Sequence, residues 1–204
     1  MQIQAPLRAV TPTLDGDVLG VLASAAAEYT AADIVRVLDA YTVPGVKRVL
    51  RRLVEQGVVV RRVAGRTAAY RLNREHLAAD AIIALASIPQ ELHRRLRLEF
   101  TSWPQRPVLV ALFGSAARRE MRPDSDIDLF LVRPDTADDR WDDAIAAASA
   151  RITAWTGNDT RFVEWAQVEL DTRAREPLLD EIVRDGVPIL GDWSAFRRRV
   201  RTTP

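Results

Sequence analysis

Two short motifs, ten residues apart, constrain the carboxy-terminal half of this chain more than any other feature. The apolar run Val108 to Phe113 ends in Gly114-Ser115, and a second apolar run begins with Asp126-Ile127-Asp128. Short apolar runs bounded by turn residues predict buried strands, and the stretch 116–121 between them predicts a short helix. The sequence therefore predicts a strand, a short helix and a second strand in close succession.

The paired aspartates suggest a metal site. Side chains alternate faces along a strand, so Asp126 and Asp128 point the same way while Ile127 and Leu129 enter the core. Two carboxylates this close repel each other unless a cation lies between them, and hard oxygen donors suit Mg²⁺. Ser125 precedes them at the turn and is expected to orient the backbone there.

The glycine-serine pair suggests the complementary anion site. Gly114 has no side chain and lets a phosphate approach the backbone closely. The Ser115 hydroxyl and the first amides of the following helix can donate hydrogen bonds to phosphate oxygens. Arg118, together with Arg119 and Arg122, can add positive charge around a triphosphate. The two motifs together predict an anion-binding cradle that faces a metal-binding edge.

These residues carry a family resemblance. The phrase Phe113-Gly114-Ser115-Ala116-Ala117-Arg118, followed by Ser125-Asp126-Ile127-Asp128-Leu129, resembles the signature of the DNA polymerase beta-like nucleotidyltransferases, especially the minimal ones. The resemblance spans about residues 107–191. It implies transfer of a nucleoside monophosphate from an NTP to a hydroxyl acceptor, with two Mg²⁺ ions held by Asp126 and Asp128. The implied nucleotide-binding residues are Gly114, Ser115, Arg118 and Ser125.

The resemblance also implies a third carboxylate on a later strand. Residues 161–165 read as that strand, with Glu164 as the first candidate for a catalytic role and Asp159 as the second. One register places Arg161 where the family commonly has aspartate. A surface glutamate at a strand end is the alternative interpretation of Glu164.

The amino-terminal part has a different pattern. Thr30 stands three residues before Asp33, which is the spacing of a capping box at the start of a helix. Residues 17–26 predict an earlier helix, and a further one begins near Pro44 with apolar residues at helical spacing. A valine-rich run at 58–63 and a second run at 67–72, on either side of Gly65, predict a hairpin. Three helices followed by a basic hairpin resemble the winged helix-turn-helix of bacterial transcription regulators.

Positive charge is concentrated in this part of the chain. Residues 45–75 contain nine basic and two acidic residues, a net charge of +7, whereas the whole chain has a net charge of only +1. Such a surface favours nucleic acid, DNA or tRNA. The resemblance implies that the third helix enters the major groove and that the hairpin contacts the backbone. A solvated basic face and a protein-docking module are the alternatives. The residues implied are Lys47, Arg48, Arg51, Arg52, Arg61, Arg62 and Arg66.

The fold class predicted is a two-domain α/β chain. It comprises a winged helix-turn-helix at 1–76, a helical connector at 77–104, an α+β nucleotidyltransferase domain with a small mixed sheet at 105–192, and a basic tail at 193–204. The absence of cysteine excludes disulfides and thiolate chemistry, and both histidines read as structural or surface residues. No apolar segment is long enough for a membrane, so we expect a cytoplasmic protein.

Several functional alternatives stay open from the sequence. The acceptor hydroxyl can belong to a protein, a tRNA or a small molecule, and the pairing of domains suits a toxin-antitoxin or defence system with a partner protein from a neighbouring gene. The rival hypothesis is a DNA-binding regulator whose nucleotidyltransferase fold senses NTP or docks a partner without catalysis. The apolar stripe in residues 79–100 fits either a homodimer contact or an intramolecular helix pair.

Overall fold

A computed structural model describes residues 1–172 and 176–202 of the chain. The chain divides into two compact units. One comprises residues 5–89, and the other comprises residues 1–4 together with residues 90–204. Each unit has its own apolar core.

The first unit begins with a short 3-10 helix (Pro6–Ala9) and contains four α-helices and three strands. Strand β3 is central and pairs antiparallel with both β1 and β2, so the sheet order is β1-β3-β2. The bounds along the chain are α1 (Leu14–Ser24), β1 (Tyr29–Thr30), α2 (Ala31–Leu38), α3 (Val43–Glu55), β2 (Val59–Ala64), β3 (Thr67–Leu72) and α4 (Ala79–Ala86).

Local sequence signals account for the positions of α2 and α3. The Thr30 hydroxyl accepts a hydrogen bond from the amide of Asp33, and the Asp33 carboxylate accepts one from the amide of Thr30, which confirms the predicted capping box. The Thr42 hydroxyl accepts a hydrogen bond from the amide of Gly45 at the start of α3, and Pro44 lies in the first turn, where a missing amide hydrogen costs nothing. Val46, Val49, Leu50 and Leu53 form the buried side of α3.

A buried polar cluster joins the start of this unit to its helices. The Arg8 guanidinium donates two hydrogen bonds to the Asp17 carboxylate, at 2.7 and 2.8 Å, and a third to the Tyr41 hydroxyl. The Tyr41 hydroxyl in turn donates to Asp17. Asp17 is buried, and these partners satisfy its charge, as a buried carboxylate requires.

The second unit is a mixed α/β structure around a four-stranded sheet of order β6-β5-β4-β7. Strands β5 and β6 are parallel, and the other neighbouring pairs are antiparallel. The bounds are α5 (Ile88–Thr101), β4 (Leu109–Phe113), α6 (Gly114–Ala117), β5 (Ile127–Arg133), α7 (Arg140–Thr156), β6 (Thr160–Ala166), α8 (Glu169–Thr172), α9 (Pro177–Asp185), β7 (Val187–Leu190) and α10 (Trp193–Thr202). The predicted small mixed sheet is therefore present.

Strand alternation divides the sheet into two faces. Ile127, Leu129 and Leu131 of β5 pack in one cluster with residues of α5 and α7. Phe130 and Val132 pack in another with residues of α9 and α10. Helices therefore cover both faces of β5, which explains why this strand is an almost continuous apolar run.

The structure corrects two sequence expectations about organisation. Residues 77–104 do not form a separate connector, because Ile82 and Ile83 of α4 pack on the core of the first unit whereas Leu96 and Phe100 of α5 belong to the core of the second. Residues 193–202 are not a solvated basic tail. They form α10, whose Phe196 and Val200 lie one helical turn apart, are buried and pack against the sheet. Pro204, the end of the expected tail, lies outside the described residues.

Across the described ranges, 1–172 and 176–202, the structure contains no helix both long and apolar enough to cross a membrane.

Candidate functional site

The paired aspartates lie at the amino-terminal end of β5. Asp128 is the register partner of Phe113, the last residue of the antiparallel strand β4, so the chain leaves β4 beside this carboxylate. Asp128 shares its face with Phe130 and Val132, the face covered by α9 and α10. The two motifs noted in the sequence thus meet at one end of the central strand pair.

Gly114 makes the closest contact with the aspartates. Its φ is +66°, in the left-handed region that side chains disfavour, and a Cβ built on it would lie 2.5 Å from Oδ2 of Asp128. Any other residue would therefore carry backbone strain and also occupy the space beside the carboxylate. This close approach of the start of α6 to Asp128 is the most specific geometric feature of the site.

The two serines of the motifs have different roles in the fold. Among the described residues, the Ser115 hydroxyl has no hydrogen-bond partner, and it is only half-buried next to Gly114. The Ser125 hydroxyl accepts a hydrogen bond from the amide of Arg122 at 2.8 Å and thereby closes the turn before Asp126. Ser115 is free to receive a ligand, whereas Ser125 organises the backbone.

Asn158 supports the aspartate turn, and sequence reasoning did not identify this role. It is 3% exposed, and its Nδ2 donates to the carbonyl of Ser125 at 2.7 Å. The amide of Ile127 also donates to the carbonyl of Asp159 at 2.8 Å. The loop between α7 and β6 therefore fixes the backbone on both sides of Asp126. A buried asparagine just after a helix-ending glycine was the available signal.

Arg161 occupies the position beside Asp128 on the neighbouring strand. The parallel register pairs Asp128 with Arg161, so both side chains leave the same face of the sheet. The Arg161 guanidinium forms an ion pair with Asp126, with 3.0 Å between its nitrogen and Oδ2. Arg161 itself is largely exposed.

Glu164 does not join the aspartates. It is the register partner of Leu131, and strand alternation places both on the α7 face, opposite to Asp128. Its carboxylate accepts a hydrogen bond from Nε1 of Trp141 at 2.5 Å, which holds it there. Asp159 precedes β6 and is exposed. In the part of the chain that the structure describes, no group of three acidic, histidine or cysteine side chains is arranged to hold a metal ion.

The expected nucleotide-binding Arg118 is paired with carboxylates. Its guanidinium contacts Glu120, at 3.1 Å, and Glu181 of α9. Arg119 and Arg122 are exposed and form no ion pair among the described residues. Positive charge just after α6 is therefore divided between one arginine engaged with α9 and two available to a ligand.

The electrostatics of Asp128 fit a cation site. Burial raises the pKa of the Asp128 carboxyl, and the negative charge of Asp126 raises it further, while Arg161 and Arg118 partly offset the shift. Among the described residues this carboxylate has neither a hydrogen bond nor an ion pair. Half-buried carboxylate oxygens beside a second carboxylate, next to a glycine that has no side chain, are a donor set that suits Mg²⁺ with nucleotide phosphates as its other ligands.

A basic groove lies within the first unit and is lined only by residues of that unit. It has a volume of about 910 Å³ and lies between the start of α2, the exposed side of α3 and the β2–β3 hairpin. Its cationic lining comprises Lys47, Arg48, Arg51, Arg61 and Arg66, all of which are exposed and lack an ion pair among the described residues. The two other basic residues singled out from the sequence are engaged, because Arg52 pairs with Asp15 and Arg62 approaches Glu28 at 3.8 Å.

Comparison with protein families gives one match. Residues 99–192 match the family described as polymerase beta, nucleotidyltransferase. These residues include β4, α6, β5 and both motifs of the site. No curated protein matches the chain.

Solved structures give partial similarities. A crystal structure of a toxin-antitoxin with AMP-PNP is 20% identical, with 56% of this chain and 82% of that chain covered and a TM-score of 0.40. A mutant of the toxin-antitoxin MntA-HpeT is 19% identical, with 55% and 82% covered and a TM-score of 0.39.

The family match and the site geometry concern the same residues. Gly114 and Asp128 are in contact across β4 and β5, within the matched range. Nucleotidyltransferases of this family generally use divalent metal ions, and the carboxylates present are suitable donors for one. This chain therefore carries, at residues 99–192, a nucleotidyltransferase domain of the polymerase beta type.

Proposed function

We propose that this protein transfers a nucleoside monophosphate from a magnesium-bound NTP to an acceptor hydroxyl. In this reaction the acceptor oxygen forms a bond to the α-phosphorus, the bond from that phosphorus to the bridging oxygen of the β-phosphate breaks, and pyrophosphate leaves. The acceptor proton ends in the solvent. Catalysis of this kind depends on positioning and charge stabilisation, which are what a rigid strand end can supply.

The contact between Gly114 and Asp128 carries this proposal. A space that a single Cβ would fill lies beside an unpaired carboxylate, and the Ser115 hydroxyl adjoins it without a partner among the described residues. A phosphate group can approach the backbone of Gly114 and receive a hydrogen bond from Ser115. The phosphates of the NTP would then lie next to Asp128.

The residues of the chain have separate roles in this account. Asp126 and Asp128 would hold magnesium, which when bound neutralises charge on the phosphates and on the leaving pyrophosphate. Ser125 and Asn158 keep the turn before Asp126 in place. Arg119 and Arg122 are available to the phosphates, and Arg118 joins them if its pair with Glu181 opens.

The amino-terminal unit is proposed to be a winged helix-turn-helix that binds duplex DNA. The order of its helices and strands, and the basic groove between α3 and the hairpin, support this proposal. The face of α3 would contribute Lys47, Arg48 and Arg51, and the hairpin would contribute Arg61 and Arg66. Binding of tRNA would use the same cations, and competition between duplex DNA and tRNA distinguishes the two.

The identity of the acceptor and of a partner protein is proposed from the sequence alone. The acceptor classes are a protein hydroxyl, the end of a tRNA and a small molecule. A partner from a neighbouring gene, as in a toxin-antitoxin pair, would be found by copurification after coexpression of the adjacent reading frame.

Label transfer tests the proposed activity. The protein is incubated with each α-labelled NTP, Mg²⁺ and a cell extract as the source of acceptors, and released pyrophosphate is measured in parallel. We expect label on one acceptor class with the wild type and with Asp124→Asn, an exposed neighbour in the same turn, and none with Asp128→Asn. Equal labelling by Asp128→Asn would refute the proposal.

A non-catalytic NTP sensor is the second candidate function, and Arg161 favours it. A cation stands where the resemblance implied a third carboxylate, and no three-acid group occurs among the residues with described positions. A sensor would bind NTP and change its affinity for DNA without releasing pyrophosphate from any NTP.

A further inference from the structure

Arg161 places a positive charge on the β6 side of the aspartate pair, where the resemblance implied a third carboxylate. Its Cα is the register partner of Asp128 on the parallel strand β6, and its guanidinium lies 3.0 Å from Oδ2 of Asp126. The ion pair therefore engages one of the two carboxylate oxygens of Asp126.

The charges at the site set how many divalent ions it can hold. Asp126, Asp128 and Arg161 together carry a net charge of −1, whereas an acidic residue in place of Arg161 would give −3. Two magnesium ions add four positive charges, and one of them would lie beside the guanidinium. Like charges at such short range repel strongly in a half-buried site, and no group of three acidic side chains among the described residues is arranged to hold both ions.

Asp128 remains free for one ion. It has neither a hydrogen bond nor an ion pair among the described residues, and it lies beside Gly114, where the phosphates would approach. The two aspartates thus have different neighbours. Asp128 faces the phosphate side, and Asp126 faces Arg161.

From this asymmetry we infer that Arg161 substitutes for the acceptor-side metal ion, so that the protein binds a single divalent ion with each NTP. The inference rests on the proposed function. Asp128 would be the main protein ligand of that ion, together with the phosphates. Arg161 would hold Asp126 in place and supply the positive charge on the acceptor side.

Counting bound manganese tests this inference without relying on turnover. Mn²⁺ replaces Mg²⁺ at oxygen-ligand sites and can be quantified by its electron paramagnetic resonance signal. Full-length protein is dialysed to equilibrium against Mn²⁺ and a non-hydrolysable NTP analogue, and bound ion and bound nucleotide are measured per chain. We expect one Mn²⁺ and one nucleotide for the wild type, and two Mn²⁺ with one nucleotide for Arg161→Asp.

Matched variants control for charge and folding. Arg97→Asp makes the same change in charge at an exposed position of α5, a helix on the opposite face of the sheet, and should leave the count at one. Arg161→Lys keeps the charge and should also bind one ion. Circular dichroism establishes whether each variant is folded. If Arg161→Asp does not fold, the number of Mn²⁺ ions bound per wild-type chain tests the inference.

The outcomes separate this inference from the proposed function. Two Mn²⁺ ions per nucleotide in the wild type would overturn the inference and leave the proposed function in place. A folded Arg161→Asp that still binds one ion would overturn the assignment to Arg161. No nucleotide-dependent Mn²⁺ binding in the wild type would count against the proposed function itself.

Discussion

Gly114 and Asp128 are separated by too little space for a side chain on the glycine. The Cβ of an alanine at 114 would lie 2.5 Å from Oδ2 of Asp128, and its φ of +66° would be strained. The site therefore depends on a residue that contributes no side-chain atoms to the contact. This relationship also identifies the variant that should separate binding from folding.

Gly114→Ala should abolish nucleotide binding, because the methyl group fills the space beside Asp128. The backbone strain should also lower the free energy of unfolding by about 1 to 3 kcal/mol. Gly157→Ala is the matched control, since Gly157 has a φ of +70° but no atom within 4 Å of a built Cβ. Isothermal titration calorimetry with an NTP analogue should show binding for Gly157→Ala only. Equal affinities would contradict the assignment of the phosphate site.

The part of the site that was predictable is local in sequence. Gly114-Ser115 and Asp126-Ile127-Asp128 lie on adjoining elements, so turn chemistry and strand alternation suffice to bring them together. The role of Glu164 was not predictable, because a one-residue change in the register of β6 moves it to the other face. Its position one residue from Trp165, whose side chain is buried on the α9 and α10 face, is consistent with the observed register.

Contacts between segments far apart in the chain also could not be predicted from the sequence. Glu181 pairs with Arg118 across 63 positions, and Asn158 reaches the carbonyl of Ser125 across 33. Neither pair has a periodic pattern that would reveal it. The burial of α10, in contrast, could have been predicted from Phe196 and Val200, which lie at helical spacing. The arginines around them led instead to the prediction of a basic tail.

Glu164→Gln should keep nucleotide transfer within about twofold of the wild type, because a residue that makes no contact with the reacting atoms contributes little to transition-state stabilisation. A glutamine oxygen can still accept the hydrogen bond from Trp141. Initial rates of pyrophosphate release, measured beside Asp128→Asn as the inactive reference, provide the test. A loss in Glu164→Gln as large as in Asp128→Asn would show that Glu164 moves to the site in the working enzyme.

Arg51→Ala should weaken duplex DNA binding more than Arg52→Ala. Arg51 lines the basic groove without an ion pair, whereas Arg52 is engaged with Asp15. Each lost phosphate contact should reduce the slope of log affinity against log salt by about 0.9. Fluorescence anisotropy at several salt concentrations measures both quantities. An unchanged affinity and slope for Arg51→Ala would remove the groove from the DNA-binding account.

The Glu99 and Arg151 pair should make the second unit sensitive to acid. Burial by itself raises the pKa of the Glu99 carboxyl, but hydrogen bonds from Arg151 and Trp103 outweigh it, and the pKa lies below its usual value. A carboxyl with a lowered pKa in the folded state stabilises the fold above its unfolded pKa. That stabilisation is lost as the pH falls through the folded value.

Arg151→Ala should therefore lower the free energy of unfolding by about 2 kcal/mol at neutral pH, because it leaves the nearly buried Glu99 carboxylate without its main partner. Water that enters the place of the arginine side chain should hydrate the carboxylate and offset part of the loss. Glu99 is 8% exposed and Arg151 is 48% exposed. Urea unfolding at neutral and acidic pH measures the effect, with Arg97→Ala as the exposed control on α5. A stability of Arg151→Ala equal to that of the control would show that the pair contributes nothing.

A crystal structure of the protein with Mg²⁺ and a non-hydrolysable NTP analogue tests the central claim most directly. The account predicts a metal ion about 2.1 Å from an oxygen of Asp128, with phosphate oxygens against the backbone of Gly114 and the hydroxyl of Ser115. Nucleotide bound elsewhere, or phosphates placed with Asp128 turned away from the metal ion, would contradict it.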